Sequence, residues 1–189
     1  MKKTLYKFIF FKILGWKITG HMDASIQKSV LMILPHTSMF DFFVGMFARG
    51  IIGLEMHYVA KKEFFRFPLG RWFRWMGGAP LDRTGNKNKV DEIVDIFKKK
   101  HVFRMAIAPE GTRSKVDTLK TGFYYIALKA QVPIIPVAFD YGNREVRLGK
   151  AFFPTGNIDE DLKQLVLHFK GAVGKHPEKT FDVEKFLAS

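Results

Sequence analysis

"VLMILPHTSMFDFF", residues 30–43, is the stretch on which the fold turns. Its five leading apolar residues have the length of a strand covered on both faces, and Pro35 helps to end the run. His36 follows, then Thr37 and Ser38, either of which can cap a helix, with Asp41 in that helix's first turns. Strands of this kind alternating with helices argue for a parallel sheet.

The same pattern recurs along the chain. "RMAIA" (104–108) and "PIIPVAF" (133–139) are further strand-length apolar runs. "KVDEIVDIFKKK" (89–100) places Val90, Ile93, Val94 and Phe97 on one helical face, and "TLKTGFYYIALKA" (118–130) is a second crossover helix. "NIDEDLKQLVLHFK" (157–170) opens acidic and ends basic, with Ile158, Leu162, Leu165 and Phe169 as its buried stripe. The closing "HPEKTFDVEKFLAS" (176–189) reads as an arm or short helix packed late. No repeat, low-complexity tract or linker interrupts the series, and 189 residues suit one core. The expected fold is therefore α/β: a single domain with a mostly parallel central sheet flanked by helices.

Composition narrows the partners. With 31 Lys and Arg against 18 Asp and Glu, the chain carries a formal charge of +13, which attracts nucleic acid, anionic lipid headgroups or an acidic carrier or cofactor. The absence of cysteine excludes disulfides, thiolate nucleophiles and Cys-type zinc sites. No run approaches the roughly 18 apolar residues of a spanning helix, so contact with a membrane would be at its surface. The opening "MKKTLYKFIFFKILGW" has the basic start and apolar centre of a signal peptide, but Lys7 and Lys12 interrupt that centre and no A-x-A site follows. Residues 1–14 are expected to form an N-terminal amphipathic, interfacial segment, with the domain proper over 15–189.

Reactive groups in α/β sheets gather where loops leave the carboxyl ends of strands, which is where His36 stands. A spacing of five turns about 140° on a helix, so His36 and Asp41 meet only if the histidine lies in the preceding loop and folds back. An aspartate on one ring nitrogen then fixes the tautomer and leaves the other nitrogen to take a proton from a hydroxyl. The plainer reading is a structural histidine held by a nearby carboxylate.

Three other stretches carry polar chemistry or an apolar wall. "APEGTRSK" (108–115) puts Glu110, Gly111, Thr112 and Arg113 at a strand's end, where glycine permits close backbone approach and Arg113 can fork onto a phosphate or carboxylate. "GGAPLDRTGNKNK" (77–89) sets Arg83 after two glycines and a short strand, and "VPIIPVAF" (132–139) is apolar enough to wall an acyl chain. Each has a bland alternative as surface turn, solvated arginine or core.

These four blocks, in this order, resemble the glycerolipid acyltransferase family, the lysophosphatidic acid acyltransferase-like group with His-x4-Asp, a Gly-rich segment ending in Arg, Glu-Gly-Thr-Arg and Val-Pro-Ile-x-Pro-Val. The resemblance implies an O-acyltransferase that moves a fatty acyl group from acyl-CoA or acyl-acyl carrier protein to the hydroxyl of a lysophospholipid, 1-acyl-glycerol-3-phosphate first among them, with no metal and no cofactor beyond the co-substrate. It makes His36 the general base and Asp41 its orienting partner, with backbone N–H groups near the helix start stabilising the oxyanion. It also makes Arg83 and Glu110, Gly111, Thr112 and Arg113 the holders of the acceptor's headgroup. "AKKEFF" (60–65) is similar to the family's A-K-x-E-L stretch and places Lys61 near the phosphate.

The expected setting is the cytoplasmic face of a membrane, with the protein peripheral. "KKEFFRFPLGRWFRWMGG" (61–78) interleaves aromatic and basic side chains as an interfacial segment does. A different lysolipid acceptor and a catalytically silent lipid-binding relative are the alternatives within this class. A basic nucleic-acid-binding domain suits the charge but gives His36, Asp41 and Glu110 no task, so no nucleic acid is expected as a partner. A metal-dependent hydrolase lacks a second histidine at ligand spacing.

Overall fold

The computed structural model describes residues 2–61, 66, 70–71, 77–81 and 89–188, and at 2, 59–61 and 79–81 only the backbone. Seven strands form one sheet: β1 (Lys17–Thr19), β2 (Lys28–Leu34), β3 (His57–Lys61), β4 (Gly78–Leu81), β5 (Phe103–Ile107), β6 (Ile134–Asp140) and β7 (Glu145–Leu148). Their order is β1-β7-β6-β2-β5-β3-β4. The five from β6 to β4 run parallel, whereas β7 turns back antiparallel to β6 and carries β1 parallel to itself. The expected mostly parallel sheet is present, and its three foreseen strands are its centre, β6-β2-β5.

The near-continuous apolar character of β2 follows from its two-sided burial. Val30, Met32 and Leu34 enter one core and Leu31 the other, the alternation of a pleated strand. In β6, Ile134 and Ala138 join the first core while Ile135, Val137 and Phe139 join the second.

The first core is closed by three helices: α3 (Lys89–Lys99), α4 (Gly122–Ala130) and α5 (Ile158–Leu167). Ile93, Val94 and Phe97 of α3 are buried, with Val90 half-buried beside them. Helix α4 starts four residues later than the periodicity suggested, because the Lys120 N–H is bonded to the Pro109 carbonyl at 2.8 Å and ties that stretch to the loop after β5. The terminal helix α6 (Val183–Ala188) packs on α5, as expected of a late arm.

The second core is closed by α2 (Phe40–Ile52) and by the N-terminal segment, α1 (Lys2–Lys7) continued by a π-helical turn over Phe8–Ile13. The wide turn aims Phe10 inward, where it is fully buried against Trp16 and Phe47. Tyr6 lies on Gly50 of α2 so closely that a Cβ there would fall 2.2 Å from the ring, which explains a glycine inside that helix. No described helix is long and apolar enough to cross a membrane.

Candidate active site

Because β6, β2 and β5 are adjacent and parallel, the residues just beyond their carboxyl ends meet along one edge of the sheet. Tyr141 follows β6, the 35–38 turn follows β2 and Glu110 lies shortly beyond β5.

His36 folds back as the spacing required. Its Nδ1 stands 2.9 Å from Asp41 Oδ2; the imidazole is 32% exposed and the carboxylate 2%. Asp41 begins the buried stripe of α2, Asp41-Val44-Ala48-Ile51, so the helix's packing face delivers the carboxylate inward. The helix start is braced by Ser38, whose N–H donates to Asp41 Oδ2 at 2.9 Å and whose Oγ accepts the Phe40 N–H at 3.2 Å. Buried Thr37 is held from outside the turn: its Oγ1 accepts the His176 N–H at 3.2 Å.

Asp41 Oδ1 accepts the hydroxyl of Tyr141 at 2.7 Å. Burial, with the carboxylate second, pushes the Tyr141 phenol well above its ordinary range, so it remains a protonated donor. Sequence reasoning missed this residue. The available signal was its place directly beyond the third apolar strand.

Glu110 parts company with the rest of its motif. It is only 2% exposed, and its Oε2 accepts the backbone N–H of His36 at 2.7 Å, which locks the loop after β5 to the loop after β2. Burial raises its pKa to about 7, opposed by the His36 N–H and imidazole and reinforced by the Asp41 charge. Gly111, Thr112 and Arg113 are exposed. Gly111 adopts φ +66°, a left-handed conformation that favours glycine. Lys61 ends β3, but its side chain lies outside the described residues, as does Arg83; so does most of the aromatic-basic stretch 61–78.

Met39, Phe40 and Phe43 stand exposed at the start of α2, and Lys175 Nζ sits 3.0 Å from the Phe40 ring centroid. Among the described residues no group of three or more His, Asp or Glu side chains is placed to hold a metal ion. The arrangement is a partly exposed histidine with Nδ1 held by a buried carboxylate.

The family described as Acyltransferase matches residues 16–140. The chain is 30% identical over 135 residues to the 1-acyl-sn-glycerol-3-phosphate acyltransferase of Escherichia coli, a match covering 68% of this chain and 54% of that protein. It is 31% identical over 131 residues to the coconut (Cocos nucifera) protein of the same name, covering 66% of this chain and 42% of the relative. For the Bacillus subtilis protein of that name the figures are 29% over 147 residues, 76% and 70%. The chain thus spans about half the length of the first two relatives. Its fold is similar to the crystal structure of the 1-acyl-sn-glycerophosphate (LPA) acyltransferase PlsC from Thermotoga maritima, with TM-score 0.59 and 22% identity over 86% of this chain and 73% of that one.

Proposed function

The chain belongs to the acyltransferase family, and on that premise we propose that it is an O-acyltransferase that moves a fatty acyl group from acyl-CoA or acyl-acyl carrier protein to the hydroxyl of a lysophospholipid, 1-acyl-glycerol-3-phosphate. The observation that carries the reading is the His36 Nδ1–Asp41 Oδ2 contact of 2.9 Å, made by an imidazole that is still 32% exposed. Relatives named for that acceptor support its choice.

In the proposed reaction His36 Nε2 takes the proton of the acceptor hydroxyl as its oxygen attacks the thioester carbon. Asp41 stabilises the resulting imidazolium through Nδ1–H. The N–H groups of Ser38, Phe40, Asp41 and Phe42 are engaged within the turn, and those of Thr37 and Met39, which bond to no acceptor among the described residues, are assigned to the oxyanion. Collapse of the tetrahedral intermediate breaks the carbon–sulfur bond, and the imidazolium proton passes to the departing thiolate. The products are an ester and a free thiol, with no metal or further cofactor in the scheme.

Glu110 serves this site from beneath, by holding the His36 backbone. Gly111, Thr112 and Arg113 are the exposed part of the motif and, with Lys61 and Arg83, are assigned to the acceptor's phosphate. The protein is proposed to work at the cytoplasmic surface of a membrane as a peripheral protein, through the 1–14 segment and the 61–78 stretch. The exposed Met39, Phe40 and Phe43 at the start of α2 extend that surface to the site, and the net charge suits anionic headgroups.

The test is thiol release from a long-chain acyl-CoA, with detergent or vesicles and a panel of lysolipids including lysophosphatidic acid, beside a His36→Ala variant. Release that requires an acceptor and vanishes in the variant is expected. Silence with every lysolipid, and with acyl-acyl carrier protein as donor, would sink the proposal.

A further inference from the structure

We infer that Tyr141 is a positioning residue of this site: its hydroxyl fixes the Asp41 carboxylate and, through it, the tautomer and orientation of His36. The inference rests on His36 acting as the base. Tyr141 follows directly on the stretch that matches the family, residues 16–140.

The tyrosine is held at both its backbone and its ring. Its N–H donates to the Val173 carbonyl at 2.8 Å, and the preceding Asp140, buried at the end of β6, accepts the Val173 N–H at 3.3 Å and the Asn143 side-chain amide at 2.7 Å. The ring stands edge-on to Trp16 at 4.9 Å between centroids, and Trp16 in turn packs on buried Phe10. A hydroxyl on so constrained a ring has one direction to point, toward Asp41 Oδ1 at 2.7 Å.

The division of labour at the carboxylate follows. Oδ2 takes His36 Nδ1 and the Ser38 N–H, and Oδ1 takes Tyr141. Without the hydroxyl, Oδ1 loses its partner and the carboxylate is held through Oδ2 alone, so its plane and the Oδ2–Nδ1 contact are less firmly set.

Tyr141→Phe keeps the ring contact with Trp16 and removes only the hydroxyl. With palmitoyl-CoA and lysophosphatidic acid we expect kcat to fall about tenfold or more, KM for either substrate to stay within about twofold, and the acid limb of the rate profile to move. Histidine-selective nitrogen NMR of the same protein, with His36 assigned by its loss in His36→Gln, is expected to show its titration displaced. Glu110 from the loop after β5, and Lys175 and His176 from the segment against Thr37 and Phe40, are common to both proteins, so the displacement reports the hydroxyl.

Wild-type kcat with an unmoved titration overturns the inference, and so does a fall in melting temperature without a displaced titration, which is the mark of a merely structural tyrosine. Equal rates in wild type and His36→Ala instead remove the base, and the NMR titration still reports whether Tyr141 governs the histidine.

Discussion

The two faces of the sheet are finished differently. On the side of α3, α4 and α5 the core is sealed: Phe97, Phe123, Tyr124, Leu165 and Phe169 are buried, and exposed large apolar side chains are isolated ones such as Tyr125 and Leu167. On the side of α2 and the N-terminal segment a second core buries Phe10, Val44, Ile51 and Phe139, yet Leu5, Phe8, Phe11, Ile13, Leu14, Met39, Phe40 and Phe43 are left exposed on the same elements. Scattered apolar side chains need no explanation, but a concentration on one side marks a contact surface. The sealed face holds the fold together, and the open face carries His36, Asp41 and the proposed lipid contact.

The sharpest test of that division is to remove function from the open face without touching stability. His36→Ala is expected to lower the acyl-transfer rate by about 10²–10⁴-fold, the usual span for a general base. Its melting temperature should match the wild type, because the ring is partly exposed and lies outside both cores. A variant that unfolds would make the histidine part of the scaffold.

The converse change is Phe123→Ala, in the sealed core. Loss of a buried aromatic side chain costs about 3–5 kcal/mol, read as a lower urea midpoint at unchanged slope. Phe43→Ala, half-exposed on the other face, should cost less than about 1 kcal/mol. Similar costs at the two positions would break the contrast.

Glu110 joins the loops after β5 and β2 at the edge of the sheet, and its contribution is pH-dependent. Its folded pKa, about 7, lies above the ordinary carboxylate value of 4.5, so between these limits the folded state binds the extra proton. Stability is therefore greatest below about pH 4.5, as far as this group is concerned, and falls as pH rises through 7, by on the order of 2–3 kcal/mol. Denaturant unfolding at pH 5 and pH 8 should show a smaller fall in Glu110→Gln than in the wild type. An identical pH dependence in both would mean that the carboxyl ionises freely.

The smallest effect is expected at the rim. A Phe40→Ser, Phe43→Ser double variant should weaken sedimentation with vesicles containing anionic lipid several-fold, with little change in melting temperature. Undiminished binding would confine the lipid contact to the other proposed segments.

The sequence by itself determined the scaffold: three strands of the sheet, its mostly parallel sense, α3, α5 and the late arm were all legible, because apolar periodicity is a local record of which sides an element buries. It also determined that His36 had to lie in a loop to reach Asp41, since helix geometry forbids the alternative at that spacing. Only the tertiary structure decided the rest. Lys120 donates its N–H to Pro109 and shortens α4, Glu110 lies beneath the histidine while Gly111–Arg113 lie on the surface, and Tyr141 reaches a carboxylate one hundred residues away. Nothing in local periodicity encodes these contacts, because each depends on which strands become neighbours. The strand order β6-β2-β5 brings three loops, distant in the chain, to one edge.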